Sequence, residues 1–367
     1  MKKRLFSLLL VSALVFTLSG CGEKSLLRES DPVTLNFWHV YGEQSGSPMD
    51  LLVQEFNRTV GQEKGVRVQV TNLSSASKIG GFLKEAQKGG RDAPEMPDLF
   101  TCHISDATAL GSDNLVDWNA RFTAEELSNF VPGFLADGMT EDGTLLLFPI
   151  SKSTQLLMCN GSGFARSLAQ GHVVVSDLYS NTQVMTGDVL SGLGSSAAIL
   201  YYNDTVTYLD GTQEPMDLHV LPMPKTAGAD ALMTQAGVGL CAYKTTDQKA
   251  EAAALFVRWL TESERNLDFV TKTGYMPVRN GAFDAIENYD KFPEPTESYR
   301  QLYAALKIMQ ESYTPLSEPR FEGYYGKVSQ LYDGLRKMQQ ELPARAAAGE
   351  SIDTLAEETW ALLCAIH

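Results

Sequence analysis

The spacing of apolar residues between Val33 and Cys102 constrains this chain more than any other feature. Val33-Thr34-Leu35-Asn36-Phe37-Trp38 alternates apolar and polar positions and is rich in β-formers, which predicts a strand. Met49 to Asn57 carries Leu51, Leu52 and Phe56 at helical spacing, and Val66 to Val70 reads as a second strand. A helix around Ile79 to Gln87 leads through Gly89-Gly90, Pro94 and Pro97 to a third strand at Asp98 to Cys102. Strand, helix, strand, helix, strand predicts a parallel sheet with helical crossovers. Ligands of such sheets bind beyond the carboxyl ends of the strands, where Trp38 to Glu43 and Cys102 to Ser105 fall.

Further along, a polar helix is predicted near Ala124 to Phe130, and Asp142-Gly143 makes a hairpin-like turn before Leu145 to Phe148. Ser153 to Cys159 reads as a strand and Val184 to Gly192 as a helix. Gly192-Leu193-Gly194-Ser195-Ser196 reads as a turn before a strand at Ala197 to Tyr202, and the chain is loop-like after Pro224. Gly237 to Tyr243 is a predicted strand. Asp247 to Leu260 is an amphipathic helix with Ala252, Leu255, Phe256 and Trp259 on one side, and the last helical region runs from Gly326 to His367.

A length of 367 residues accommodates about two domains, and 44% hydrophobic residues supply real cores. A formal charge of −15 argues against nucleic acid as a partner. Cys102, Cys159, Cys241 and Cys364 are widely spaced, with no Cys-x-x-Cys and no His at metal-ligand spacing, so no metal and no cofactor are expected. The first three lie in strand-like apolar runs and read as buried free thiols, although sequence leaves a disulfide open. There is no Gly-x-Ser-x-Gly elbow, P-loop or His-Glu-x-x-His, so no catalytic residue is assigned. His39 and His103 end strands without a paired nucleophile, and Asp98 after Pro97 reads as a turn or capping residue.

The amino end reads as an address. Met1-Lys2-Lys3-Arg4 is basic, Leu5 to Phe16 is apolar but short for a membrane span, and Leu18-Ser19-Gly20-Cys21 follows. This ending resembles the bacterial lipobox. The resemblance implies removal of residues 1–20 as a signal peptide, lipid attachment (palmitate among the chains) at Cys21, and an extracytoplasmic protein held at the cell membrane. Residues 22 to 32 are polar and suit a short tether, so 21–32 is read as anchor plus tether.

Trp38, Tyr41, His103, Tyr201, Tyr202 and Tyr275 fall near predicted strand ends. Flat apolar faces edged with hydrogen-bonding groups suit sugars and polyols, while each aromatic has an equal claim to the core.

Three stretches carry a family resemblance: Gly237-Val238-Gly239-Leu240-Cys241-Ala242-Tyr243, the helix from Glu251 to Leu260 with Thr261-Glu262-Ser263, and Gly274-Tyr275-Met276-Pro277-Val278. Together they resemble the extracellular solute-binding proteins of bacterial ABC importers, in the maltose and glycerol-phosphate branch. Phe37-Trp38-His39, Pro149 to Thr154 and Gly194-Ser195-Ser196 resemble the glycerol-phosphate binders in particular. The resemblance implies a two-lobed α/β fold of the periplasmic-binding-protein type II class with hinge crossovers. One lobe would comprise 33–148 plus 239–313, and the other 149–238 plus 314–367. Ligand contacts would fall on Trp38, His103, Ser153, Ser195, Gly237, Tyr275 and Arg320, with Gly237 letting backbone approach the ligand. Arg320 in Glu318-Pro319-Arg320-Phe321 would grip a phosphate if it faces the cleft, and pairing with Glu318 or Glu322 would favour a neutral sugar.

The chain departs from the family pattern at one place. Asn160 passes through Ser167-Leu168-Ala169-Gln170 directly to Gly171-His172-Val173, where the family has further helices, so the second lobe is expected to be shortened near 160–175. The leading expectation is a monomeric, non-enzymatic solute receptor for a carbohydrate or polyol, partnered by the transmembrane subunits of an ABC permease. Glycerol phosphate or a phosphodiester is the second solute class. A tethered scaffold without ligand capture and an extracytoplasmic hydrolase complete the alternatives.

Overall fold

The computed structural model describes residues 25–41, 46–73, 76–160, 179–225, 228, 230–321, 324–350 and 354. The signal segment, Cys21, Cys364 and the expected shortening around Ser167 lie outside the described residues, as does the side chain of Cys159.

The predicted opening order is observed. Strands β1 (Val33–His39), β2 (Val66–Asn72) and β3 (Leu99–Cys102) alternate with helices Pro48–Arg58 and Ala76–Lys88. β1 pairs in parallel with β2 from Val33↔Val66 to His39↔Asn72, and with β3 at Phe37↔Leu99 and Trp38↔Phe100. Helix Pro48–Arg58 starts where Ser47 accepts from the Asp50 N–H and Pro48 takes the first turn. Its Phe56 meets Phe256 edge-on at 5.0 Å, and Phe256 meets Phe37 of β1 at 5.8 Å, which fixes helix Asp247–Leu260 on the same face. Ile79, Leu83 and Phe100 build a separate cluster on the opposite face. Asp98 is a buried acceptor rather than a turn or capping residue: it takes the Asn36 N–H at 2.9 Å and the Lys249 ammonium at 2.7 Å.

The chain then forms β4 (Gln155–Asn160), β5 (Ser191–Ser195), the hairpin β6 (Thr205–Thr207) and β7 (Gln213–Pro215), and β8 (Leu218–Leu221). β4 is the centre of a three-stranded antiparallel sheet between β5 and β8. Buried Leu218 and Val220 turn towards helix Thr296–Ser312, whose Gln301 accepts the Val220 N–H at 3.2 Å. β9 (Leu232–Gln235) pairs in parallel with β11 (Thr314–Ser317), while β10 (Gly239–Ala242) returns to the first sheet antiparallel to β3. The first sheet therefore has the order β10-β3-β1-β2.

Four local expectations are corrected. The helix expected over Val184 to Gly192 is Ser180–Met185 and ends before Gly187, which takes φ 75°. The glycine-rich turn is itself strand β5. Gly192 and Gly194 have no side chains, so Ser180 and Ala198 lie directly on it; a Cβ at Gly192 would meet Ser180 Oγ at 2.6 Å. The strand expected at Ala197 to Tyr202 is a 3-10 helix, Ser196–Tyr201, packed so closely on Gly274 that a Cβ there would stand 2.8 Å from Ala197 Cα. The loop-like stretch after Pro224 contains β9. Helix Tyr324–Ala347 occupies the described part of the last helical region.

Asn266 joins separate parts of this framework. Fully buried, it donates to the Ile150 carbonyl at 2.7 Å and accepts from the Val278 N–H at 3.0 Å. Asn266→Ala leaves both backbone groups unpaired, and a loss of roughly 2–4 kcal/mol is expected. Urea unfolding reads this as a lower midpoint at unchanged slope.

Candidate functional site

The segment Ser151 to Thr154 crosses between the two sheets and is gripped on three sides. Ser153 and Ala236 exchange backbone hydrogen bonds at 2.9 Å, the Lys152 N–H donates to Met276 at 3.2 Å, and the Ser196 N–H donates to Thr154 at 2.8 Å. Consecutive side chains point to different neighbours. Ser151 Oγ lies 3.0 Å from the Tyr41 hydroxyl, Ser153 Oγ lies 3.2 Å from Ser196 Oγ, and Lys152 pairs with Asp137.

On one side, Tyr41 meets Tyr275 edge-on at 6.1 Å. Tyr303 fixes this corner, its hydroxyl proton shared between the carbonyls of Val270 (2.8 Å) and Tyr275 (2.9 Å). Burial pushes the Tyr41 hydroxyl far above its ordinary range, with the nearby Tyr275 adding to the shift, so it stays a neutral donor and acceptor.

On the other side lies a charged cluster. Lys152 is 1% exposed and Asp137 7%. Arg320 spans the end of helix Pro132–Asp137, donating to the Asp137 carbonyl at 3.1 Å, the Ala136 carbonyl at 3.2 Å and the Met139 carbonyl. Its exposed guanidinium is thus engaged with backbone carbonyls, a role not expected from sequence; Glu322 lies outside the described residues. It satisfies the last carbonyls of a helix. His103 Nδ1 stands 3.9 Å from Glu318 on the same stretch.

The structure brings together Ser153, Ser195 (next to Ser196), Gly237 and Tyr275 around the crossing, with His103 and Arg320 in the charged cluster behind it. Gly237 takes φ 108°, a backbone state that suits glycine, two residues before β10. Trp38 is packed in the apolar cluster with Ile79 and Phe100. Of the other strand-end aromatics, Tyr41 and Tyr202 are buried while Tyr201 is exposed. Sequence reasoning named Lys152 within its motif but missed its partner Asp137. A buried acid near a helix end 15 residues away leaves no periodic signal. Surface hollows of about 350 Å³ and 450 Å³ are lined by Glu29, Asn57 and Arg67 and by Glu55, Arg265 and Tyr289 respectively, away from the crossing.

Cys102 and Cys241 are buried free thiols, as expected. Their sulfurs lie 3.7 Å apart, and the Cys241 thiol donates to the Leu146 carbonyl at 3.1 Å. No described helix is long and apolar enough to cross a membrane.

Residues 164–294 match the family profile described as Bacterial extracellular solute-binding protein. The fold is similar to that of the cyclic alpha-maltosyl-1,6-maltose binding protein from Arthrobacter globiformis (TM-score 0.65, 14% identity, covering 92% of this chain and 99% of that one). It is also similar to UgpB from Mycobacterium tuberculosis in complex with glycerophosphocholine (0.62, 15%, 91% and 99%). A third similar structure is an extracellular solute-binding protein family 1 member from Alicyclobacillus acidocaldarius (0.62, 12%, 90% and 97%). Curated protein sequences give no match. The resemblance seen in the sequence motifs is therefore found again in the matched segment and in a mixed α/β, two-lobed fold.

Replacing Lys152 by Met strands a buried carboxylate, and a loss of about 3–5 kcal/mol is expected. Adding Asp137→Leu should recover much of it, as read by paired denaturation curves. Burial holds the pKa of both His39 and His103 below the ordinary value, against the opposing pull of Asp50 and Glu318 respectively. The unfolded chain then binds more protons just below about pH 6.5, so their stabilising contribution is present above that pH and lost as pH falls towards the folded values. The urea midpoint should drop on acidification from pH 7 to about 5, and less steeply in His103→Gln.

Proposed function

We propose that this chain, which resembles the bacterial extracellular solute-binding proteins in its matched segment and in its fold, captures a neutral carbohydrate or polyol at the crossing and delivers it to the permease of an ABC importer. An extracytoplasmic location is supported by the family matched over residues 164–294. The lobes are proposed as 33–148 with 239–313 and 149–238 with 314–367, the second shortened, closing by a hinge motion about Ser151 to Thr154. Cys21 carries the lipid after removal of residues 1–20, and the protein works as a monomer without catalysis.

The observation that carries a neutral solute over a phosphate is the engagement of Arg320. Its guanidinium donates to three backbone carbonyls, and gripping an anion would cost it these hydrogen bonds. What remains at the crossing is the Ser153–Ser196 hydroxyl pair, the backbone beside Gly237 and the Tyr275 ring, a set suited to hydroxyl groups and C–H faces. Similar structures include both a cyclic maltosyl-maltose binder and a glycerophosphocholine complex, so the phosphodiester is the second reading.

Calorimetry against neutral oligosaccharides, polyols and glycerophosphodiesters separates these. Binding of a neutral sugar is expected, weakened about tenfold or more by Ser153→Ala or Tyr275→Ala, a loss of one or two hydrogen bonds or a ring contact. Heat from the phosphodiesters alone, abolished in Arg320→Ala, would overturn the neutral reading. Heat from none would favour the non-binding scaffold.

A further inference from the structure

The polar stretch before the first strand is docked from Ser25 onward. Ser25 Oγ donates to Glu251 Oε1 at 2.6 Å, and the Leu26 N–H donates to Glu251 Oε2 at 3.0 Å. The Leu27 N–H turns back to Ser25 Oγ at 3.2 Å, and the Leu27 side chain packs against the main core. The Asp31 N–H closes a turn onto the Arg28 carbonyl at 3.0 Å, and Gln248 Nε2 donates to the Asp31 carbonyl at 3.1 Å. Two positions of helix Asp247–Leu260 thus hold the stretch at both ends.

Gly65 completes the seat. It caps helix Val60–Lys64 at φ 68°, and a Cβ there would lie 2.2 Å from the Arg28 carbonyl oxygen. The backbone of the stretch therefore rests directly on a glycine that no other residue can replace without moving it. The Val33 N–H then donates to the Gly65 carbonyl at 2.8 Å, so β1 begins from this seat.

We infer that residues 25–32 are an orienting strap rather than a free tether, and that the face built by Glu251, Gln248, Glu63 and Lys64 is the one presented to the lipid headgroups. This rests on the lipidation proposed at Cys21. From Cys21 to Ser25 the chain spans at most about 14 Å, whereas a free tether to Val33 would span about 40 Å. The shorter reach is only about twice the thickness of one headgroup layer and leaves the anchored body little freedom to turn over. Glu29 and Arg67 line one hollow and Lys64 pairs with Glu63, a mixed surface with no strong sign. The acyl chains supply the attachment and the strap supplies the orientation.

The test uses the full lipidated protein in phosphatidylethanolamine–phosphatidylglycerol vesicles that carry a headgroup-located quencher. A fluorescent amino acid is placed at Glu63, or at Leu209 on the β6–β7 turn, which is 91% exposed. Several-fold stronger quenching at position 63 is expected. Equal quenching in protein that floats with the vesicles overturns the strap alone. Protein that carries no acyl mass and fails to float overturns the anchor reading, and the orientation with it. The strap is also read without a membrane: Glu251→Ala, a good helix former, should raise tryptic cleavage after Arg28 by about tenfold or more, since it removes two charge-assisted hydrogen bonds. Unchanged cleavage at Arg28 would show that the strap is not held by Glu251 and overturn the inference.

Discussion

The Lys152–Asp137 pair is the constraint on which the crossing depends. A charge pair this deeply buried adds little net stability over an apolar pair of equal size, but it strongly penalises any arrangement that separates the two groups. Lys152 exchanges backbone hydrogen bonds with Met276, and the next residue does the same with Ala236. Asp137 offers its backbone carbonyl to Arg320 while its side chain holds Lys152. One ion pair thereby ties the crossing, a helix end and the stretch after β11 into a single arrangement.

This arrangement also sorts the polar chemistry of the site. Charged groups are engaged with one another or with backbone on one side, and hydroxyls with an aromatic edge remain on the other. On the proposed reading, a solute that brings its own charge would have to break existing bonds. One that brings hydroxyls would only have to join those already present.

The first sheet was legible because β1, β2 and the helices between them carry strict periods, and the amphipathic helix Asp247–Leu260 was bounded at the observed residues. The same signal was present but unread in Thr296–Ser312, where Tyr299, Leu302, Tyr303, Leu306 and Met309 mark one buried face. Failure concentrated around residues 184 to 202. There Gly192 and Gly194 form a strand because neighbours pack onto their bare backbone, and Ala197 to Tyr201 curl because they lie against Gly274. Such choices are set by tertiary contact, which residue periodicity does not encode. The role of Arg320 was missed for the same reason: guanidinium chemistry is legible in sequence, but the carbonyls it finds, more than 180 residues away, are not.

The antiparallel strand β10 has a consequence in time as well as in space. It reaches the first sheet only after the whole second sheet has been made, pairing Gly239 with Cys102 across a long stretch of chain. Until then β3 is an unpaired edge and the Trp118 indole lacks the Leu240 carbonyl as one of its two acceptors. A chain emerging from its amino end must therefore carry an open, apolar sheet edge from the completion of β3 at Cys102 until β10 at Gly239–Ala242 arrives. Contacts of such sequence separation form slowly, so until residue 242 arrives that edge is an aggregation hazard.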